Sequence, residues 1–249
     1  MERGIARSRS QAKDLVEAGE VLVDGFPVKK PASEISDEDS LSLVNPDRAD
    51  WVGRGGRKIE PILEADWLAV QDRVFLDVGS STGGFTQALL RAGARHVHAV
   101  DAGEGQLAFE LRQDDRVSVH EQYNFRYADP EDFEPDPAAF VMDVSFISTC
   151  KLIPSLNEVL PADAEGVFLL KPQFEAEADE NVDGIVRDPS VLRRVLDDVM
   201  TRWNEEGWGA TKLAPSPLKG TTGNQEYFVR VERGRPRKVS TEDIQSVSF

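Results

Sequence analysis

"FLDVGSSTGGFTQ", Phe75 to Gln87, decides how the rest of the chain is read. An apolar run ends in an acid, a glycine-rich turn follows, and a second apolar run opens with helical spacing. "RVFLDVG" predicts a strand and "GFTQALLRAG" a helix, so the turn joins a strand's carboxyl end to a helix N-terminus. Gly79, Gly83 and Gly84 let backbone come close to a ligand there. The next strand, "HVHAVD", ends in Asp101, 24 positions after Asp77 (101 − 77). An acid at that place can accept hydrogen bonds from a ribose.

The turn does not fit G-x-G-x-x-G, and it lacks the Lys-Ser/Thr of a nucleoside-triphosphate loop. Its D-x-G-x-x-x-G-G pattern, followed by an acidic strand end, suits S-adenosylmethionine better than a dinucleotide. Asp77, Gly79, Ser80, Gly83, Gly84 and Asp101 are therefore the candidate donor-binding residues, with Asn124 near the adenine. A tight strand-to-helix turn without a ligand is the plainer alternative.

Outward from this turn the same rhythm continues. A helix is expected around "QLAFELRQ", then come strand "RVSVH", strand "AAFVMDV" with helix "CKLIPSLNEVL", and strand "VFLLK" with helix "PSVLRRVLDDVMTRW". "EYFVRVE" is the last strand. Alternating apolar strands and helices predict an α/β fold, a parallel doubly wound, Rossmann-like sheet, which together with the S-adenosylmethionine-type turn reads as that of a methyltransferase. Residues 54–235 are assigned to it. Helix "RGGRKIEPILEA" opens this domain and carries Lys58; its Pro61 fits only if the helix begins shortly before it.

Upstream, residues 1–45 form a small α+β unit. "SRSQAKDLVEAG" predicts a helix with Ala12, Leu15 and Val16 on one face and Gly19 at its end. Asp24-Gly25 predicts a hairpin turn in "EVLVDGFPVKK", and "SLSLV" is a third strand. The unit is too small to be catalytic and reads as a binding module. Residues 46–53 read as a linker and 236–249 as a polar tail.

Composition narrows the function. No apolar run approaches the roughly 18–20 residues that span a bilayer, and "MERGIARSRS" has no signal-peptide core. A soluble cytoplasmic protein without a membrane partner is expected. One cysteine, Cys150, excludes an intramolecular disulfide, and His96, His98 and His120 lack helical i,i+4 spacing, so no metal is expected. The net charge of −16 argues against nucleic acid at first sight. The acids are dispersed, as on a surface suited to high salt, and basic residues cluster locally. Arg3, Arg7, Arg9 and Lys13 lie near the N-terminus, Lys29 and Lys30 follow the hairpin, and Arg54 and Arg57 precede Lys58. These are the candidate RNA contacts; each would otherwise be a solvated surface charge.

A second set of polar residues falls at strand ends. Asp143 and Lys171 end their strands, and Glu226 begins the last one. Ligands bind outside such carboxyl ends in open α/β sheets. If the last strand is antiparallel, Glu226 shares the rim, and a helix crossing that rim would add Lys58. The cluster would serve chemistry or merely hold the rim together as a salt-bridge network.

The motifs also carry a resemblance. "SRSQAKDLVEAGEVLVDG" resembles an S4 RNA-binding module. "GRGGRKIE", "DVGSSTGGFT", "AVDAGEGQL", "DVSFIS", "LLKPQFE", "GIVRDP" and "KGTTGNQEYF", in that order, resemble the TlyA family over nearly the whole chain. That family, often labelled hemolysin A, comprises ribose 2'-O-methyltransferases of ribosomal RNA with an FtsJ-like domain. The resemblance implies a catalytic Lys58-Asp143-Lys171-Glu226 tetrad, S-adenosylmethionine as donor without a metal, and ribosomal RNA or a ribosomal subunit as partner. A 2'-hydroxyl acceptor means RNA, not DNA. Lys171 would stabilise the developing oxyanion, and Lys58 would orient the ribose or its phosphate.

Three other readings compete: an FtsJ-like enzyme acting on another RNA, a pore-forming cytolysin, and a non-catalytic RNA-binding assembly factor. The intact tetrad and donor loop weigh against the last, and the lack of an apolar span or unassigned amphipathic segment against the second. An S4 module ordinarily opens with one more helix before "GIARSRSQA", and only Met1-Glu2-Arg3 stand there. The module is thus expected to lack its first helix and to pack loosely.

Overall fold

The structure, a computed structural model, describes residues 3, 5–6, 9–17, 19–44, 51–181 and 183–235. Most of the expected linker (46–50) and the expected tail (236–249) lie outside the described residues.

The smaller sheet has three antiparallel strands, β1 (Val21–Val23), β2 (Phe26–Val28) and β3 (Leu41–Leu43), in the order β2-β1-β3. Asp24 and Gly25 turn the hairpin with φ of +51° and +82°, the primed geometry that follows strand twist. Helix α1 (Arg9–Glu17) precedes the sheet and closes where the Gly19 and Glu20 N–H groups return to the Val16 and Leu15 carbonyls. Leu15 is the fully buried member of the expected apolar face; Ala12 and Val16 are half-buried.

The larger sheet has seven strands: β4 (Val74–Val78), β5 (His96–Val100), β6 (Val117–His120), β7 (Ala139–Met142), β8 (Glu165–Leu170), β9 (Trp208–Pro215) and β10 (Tyr227–Arg233). Their order is β6-β5-β4-β7-β8-β10-β9. Strands β6 through β8 run parallel, and β10 is antiparallel to both β8 and β9. The chain turns from one half of the sheet to the other between β4 and β7, so their carboxyl ends form the crevice where such sheets bind ligands.

Period-two alternation sends each strand's residues to two cores. Leu76, Phe140, Phe168 and Leu170 face α5 (Ile153–Val159) and α7 (Pro189–Glu205), where the Phe168 ring stacks on Trp203 at 4.4 Å. Phe75, Val141, Leu169 and Phe228 face α2 (Arg54–Glu64) and α3 (Gly84–Arg91). Each fully buried aromatic side chain of these cores contributes about 1.5–3 kcal/mol by its removal from water. Among the described residues no helix is long and apolar enough to cross a membrane.

The sequence reading needs four corrections. Strand β9 was not expected. Thr211 is left over where the pairing with β10 shifts register, so the alternation that marks a strand is broken. The helix expected around residues 106–113 is the single turn α4 (Phe109–Arg112), because Glu121 accepts the Gly105, Gln106 and Leu107 N–H groups and holds them as a loop. Pro61 sits well inside α2 rather than in its first turn. Trp51, read as linker, is buried in the α2/α3 core, with the Arg91 guanidinium 4.3 Å over its ring.

Candidate active site

The two-residue period also builds the site. Leu170 and Met142 face α7, so Lys171 and Asp143, one step beyond, turn to the α2 side. Strand β10 pairs antiparallel with β8, Tyr227 opposite Leu170, which brings Glu226 to the same rim and face. Helix α2 covers that face and presents Lys58. Lys58 Nζ donates to Glu226 Oε2 at 2.6 Å and lies 4.0 Å from Asp143 Oδ2. Lys171 Nζ lies 2.6 Å from Asp143 Oδ1 and donates to Ser145 Oγ at 2.8 Å. The sequence-based tetrad is thus one connected cluster of two ammonium groups and two carboxylates, formally neutral. Lys58, Lys171 and Glu226 are buried, and the side chain of Asp143 is 19 % exposed. Burial at this depth is tolerable because every charge is paired.

The donor loop lies beside it. Gly79 and Ser80 donate to the Val100 carbonyl, and Gly79 holds φ of +84°. A Cβ there would fall 2.7 Å from the Asp143 carbonyl oxygen, so only glycine fits between loop and tetrad. At Gly84 a Cβ would meet the Gly56 nitrogen at 2.6 Å, which is how α3 approaches α2. Asp101 ends β5 and accepts from the Ser81 N–H (2.8 Å) and the Gly103 N–H (2.7 Å). Each of its oxygens keeps lone-pair capacity for a ribose.

One cavity of about 360 Å³ joins loop and tetrad; Gly79, Ser80 and Gly84 line it together with Lys58, Asp143 and Lys171. Asp77, Gly83, Asp101, Asn124 and Glu226 are not on its wall. Asp77 points toward α3, where it is fully buried and accepts from Thr86 Oγ1 at 2.6 Å. Burial pushes its carboxyl up to about 7, aided by the nearby Asp143 and Asp101, against the lowering effect of the Thr86 bond. Asn124 is exposed and caps the turn Phe125–Tyr127 through the Arg126 N–H.

A profile of FtsJ-like methyltransferases matches residues 51–233, and one of the S4 domain matches residues 2–41. The chain is 43 % identical over 244 residues to a protein of Mycobacterium tuberculosis named 16S/23S rRNA (cytidine-2'-O)-methyltransferase TlyA, covering 98 % of this chain and 91 % of that one. The chain belongs to the TlyA family. A solved structure of a hemolysin-named protein from Streptococcus thermophilus shares 41 % identity and a TM-score of 0.79 over 97 % of this chain and 89 % of that one. An S-adenosylmethionine-dependent methyltransferase from Listeria monocytogenes, 14 % identical, superposes with a TM-score of 0.53 over 74 % of this chain and 100 % of that one, a likeness of fold alone.

In this TlyA-family chain the basic candidates divide. Arg9, Lys13, Lys29 and Lys30 are exposed, and Lys13 stands 3.7 Å from Glu17. Arg7 lies outside the described residues. Arg3 donates to the Ser36 carbonyl at 2.9 Å and also to the Asp39 carbonyl, inside the small module. Arg54 donates to the Lys219 carbonyl at 2.8 Å. Arg57 is in an ion pair with Glu20 of the module, its side chain 10 % exposed, and it lines the same cavity as Lys58 and Lys171. The guanidinium is occupied before any phosphate arrives.

Several residues at the site were not singled out in the sequence, although the "DVSFIS" and "LLKPQFE" runs contain them. Ser145 shows itself only through its bond to Lys171. Glu175, in α6 (Pro172–Glu175), accepts from Thr149 N (2.8 Å) and Oγ1 (2.9 Å), which ties the segment after β7 to the segment after β8. Phe146 holds φ of +65° and is 90 % exposed, its ring 5.0 Å from Phe174. Left-handed backbone at a bulky residue is costly. Here it keeps an aromatic face in solvent next to Ser145.

Proposed function

We propose that this chain transfers a methyl group from S-adenosylmethionine to a ribose 2'-hydroxyl of ribosomal RNA, free or in a subunit, in the cytoplasm. The observation that carries this reading is the single cavity shared by the glycine turn and two buried, paired lysines. The residues present fit the donor. The glycine turn lines the cavity through Gly79, Ser80 and Gly84, and Asp101 retains acceptor sites for a ribose. When bound, S-adenosylmethionine supplies a methyl group on a cationic sulfur.

The chain's own residues then have defined tasks. A 2'-hydroxyl is a weak nucleophile until its O–H bond loosens. The O–CH3 bond would form as the methyl–sulfur bond breaks, and the donor leaves as a neutral thioether. The hydroxyl proton would pass to water at the open cavity, and the oxygen carries negative charge as that happens. The Lys171 ammonium, held at the cavity wall, stabilises that charge where water would screen it. Asp143 and Glu226 pair with both lysines and hold them in place; Lys58 orients the ribose or its phosphate. Much of the acceleration comes from holding two reactants in line. Phe146 offers a stacking face for an unpaired base at the rim. Residues 1–45, with Arg9, Lys13, Lys29 and Lys30, dock the RNA, and residues 54–235 do the chemistry.

The test is methyl transfer from labelled S-adenosylmethionine to small and large ribosomal subunits and to their free RNA, followed by mapping of 2'-O-methyl sites. Transfer to a base nitrogen or carbon, or to no ribosomal RNA, would overturn the reading.

A further inference from the structure

The geometry points to Ser145 as a positioning residue in methyl transfer, the group that fixes the direction in which the Lys171 ammonium faces. This inference rests on the proposed 2'-O-methylation. An ammonium has three N–H donors and rotates freely about its terminal bond unless partners fix it. Lys171 Nζ donates its hydrogen bond to Ser145 Oγ at 2.8 Å, and Asp143 Oδ1, 2.6 Å away, holds it as an ion pair without hydrogen-bond geometry. The Ser145 bond is thus the directional contact that sets the ammonium's rotation, and its remaining donors are left for the cavity that Lys171, Asp143 and Ser145 all line.

The two lysines are held unequally. The ion-pair partners of Lys58 are both carboxylates, Glu226 at 2.6 Å and Asp143 at 4.0 Å. A carboxylate offers about four lone-pair sites, so it anchors an ammonium without aiming it. A hydroxyl aims it without adding charge. A third carboxylate in place of Ser145 would leave the cluster negative, against an oxyanion that must form beside it. Ser145 is exposed, but the chain on either side of it is tied down. It sits between Asp143 and Thr149, which Glu175 grips through two hydrogen bonds, while the neighbouring Phe146 rests on Phe174.

The experiment compares the full chain with Ser145→Ala, Ser145→Cys and Ser145→Thr. Cysteine keeps the shape but accepts hydrogen bonds weakly; threonine keeps the hydroxyl. Steady-state transfer to ribosomal subunits is measured beside donor affinity by calorimetry. Nitrogen-15 spectra of lysine side chains follow the Lys171 ammonium, identified by its loss in Lys171→Ala. In the alanine and cysteine variants kcat should fall about tenfold or more, with RNA KM and donor Kd within about twofold of the parent, because the aim matters in the transition state. Ser145→Thr should recover most of the rate. The Lys171 ammonium protons should exchange faster with water in the two deficient variants and not in Ser145→Thr. An unchanged rate, or an unchanged Lys171 signal, overturns the assignment. If the parent chain methylates no ribosomal RNA, the proposed function fails, while the lysine spectra still decide whether Ser145 holds Lys171.

Discussion

Arg57 of α2 and Glu20 of the small module form a buried ion pair, one residue before Lys58. Leu15 of α1 also lines the cavity that holds the tetrad. The module is thus packed against the helix that supplies Lys58. Arg57→Ala leaves Glu20 in a buried place without its guanidinium, so stability should fall by about 3 kcal/mol in denaturant unfolding. The salt dependence of RNA binding should not change, since the Arg57 guanidinium is engaged by Glu20. Arg9→Ala with Lys13→Ala should flatten the logarithmic salt slope by about one per lost contact. A flatter slope for Arg57→Ala would return it to the RNA surface.

Lys171→Ala should bind S-adenosylmethionine normally in calorimetry and lose methyl transfer by about a hundredfold or more, the scale for removing a group aimed at developing charge. Lys171→Arg should fail too. The ammonium fits between Asp143 and Ser145 as a compact charge, and a planar fork does not. Near-normal transfer by either variant would place the chemistry elsewhere.

The tetrad was legible because strand ends are legible. Apolar runs that stop at Asp143 and Lys171 mark the sheet's rim, and period two settles the face. Asp77 shows the limit of that reading. It has the same face as Lys171 but lies a step inside its strand, under α3, and serves Thr86 instead of the cavity. The pairing of Arg57 was not legible, because its partner, Glu20, is distant in sequence. Strand β9 was hidden by one extra residue, Thr211, and the loop before α4 by the carboxylate of Glu121 arriving from the next strand. In each case a tertiary partner overrode the local pattern.

Asp101→Ala should weaken donor affinity about tenfold or more, the value of hydrogen bonds to a charged group. Two effects combine: the ribose acceptor is lost, and the Ser81 and Gly103 N–H groups lose their partner, which loosens the turn. Asp101→Asn keeps the shape and one acceptor oxygen, so its affinity should fall between. Calorimetry on both variants reads this directly; equal affinities in all three proteins would remove Asp101 from the donor site.

Asp77 should leave a mark on the pH dependence of stability. Its carboxyl titrates at about 7 in the folded chain, against an ordinary 3.8. Between those values the folded state keeps a proton that the unfolded state has released. The group's contribution is therefore fully present below 3.8, declines as pH rises, and is lost above about 7. The slope is about 1.4 kcal/mol per pH unit across the window. The histidines act in the opposite sense. Burial lowers His96, His98 and His120, so their contribution is lost as pH falls through 6.5. They titrate alike in Asp77→Asn, which stays neutral at every pH, so the difference between the two proteins isolates Asp77. Denaturant unfolding at pH 5, 6, 7 and 8 should show the parent losing stability relative to Asp77→Asn up to about pH 7, and a constant difference beyond it. Parallel curves across the whole range would mean that Asp77 is ionised in the folded protein, and its burial under α3 would then need a cation to balance it.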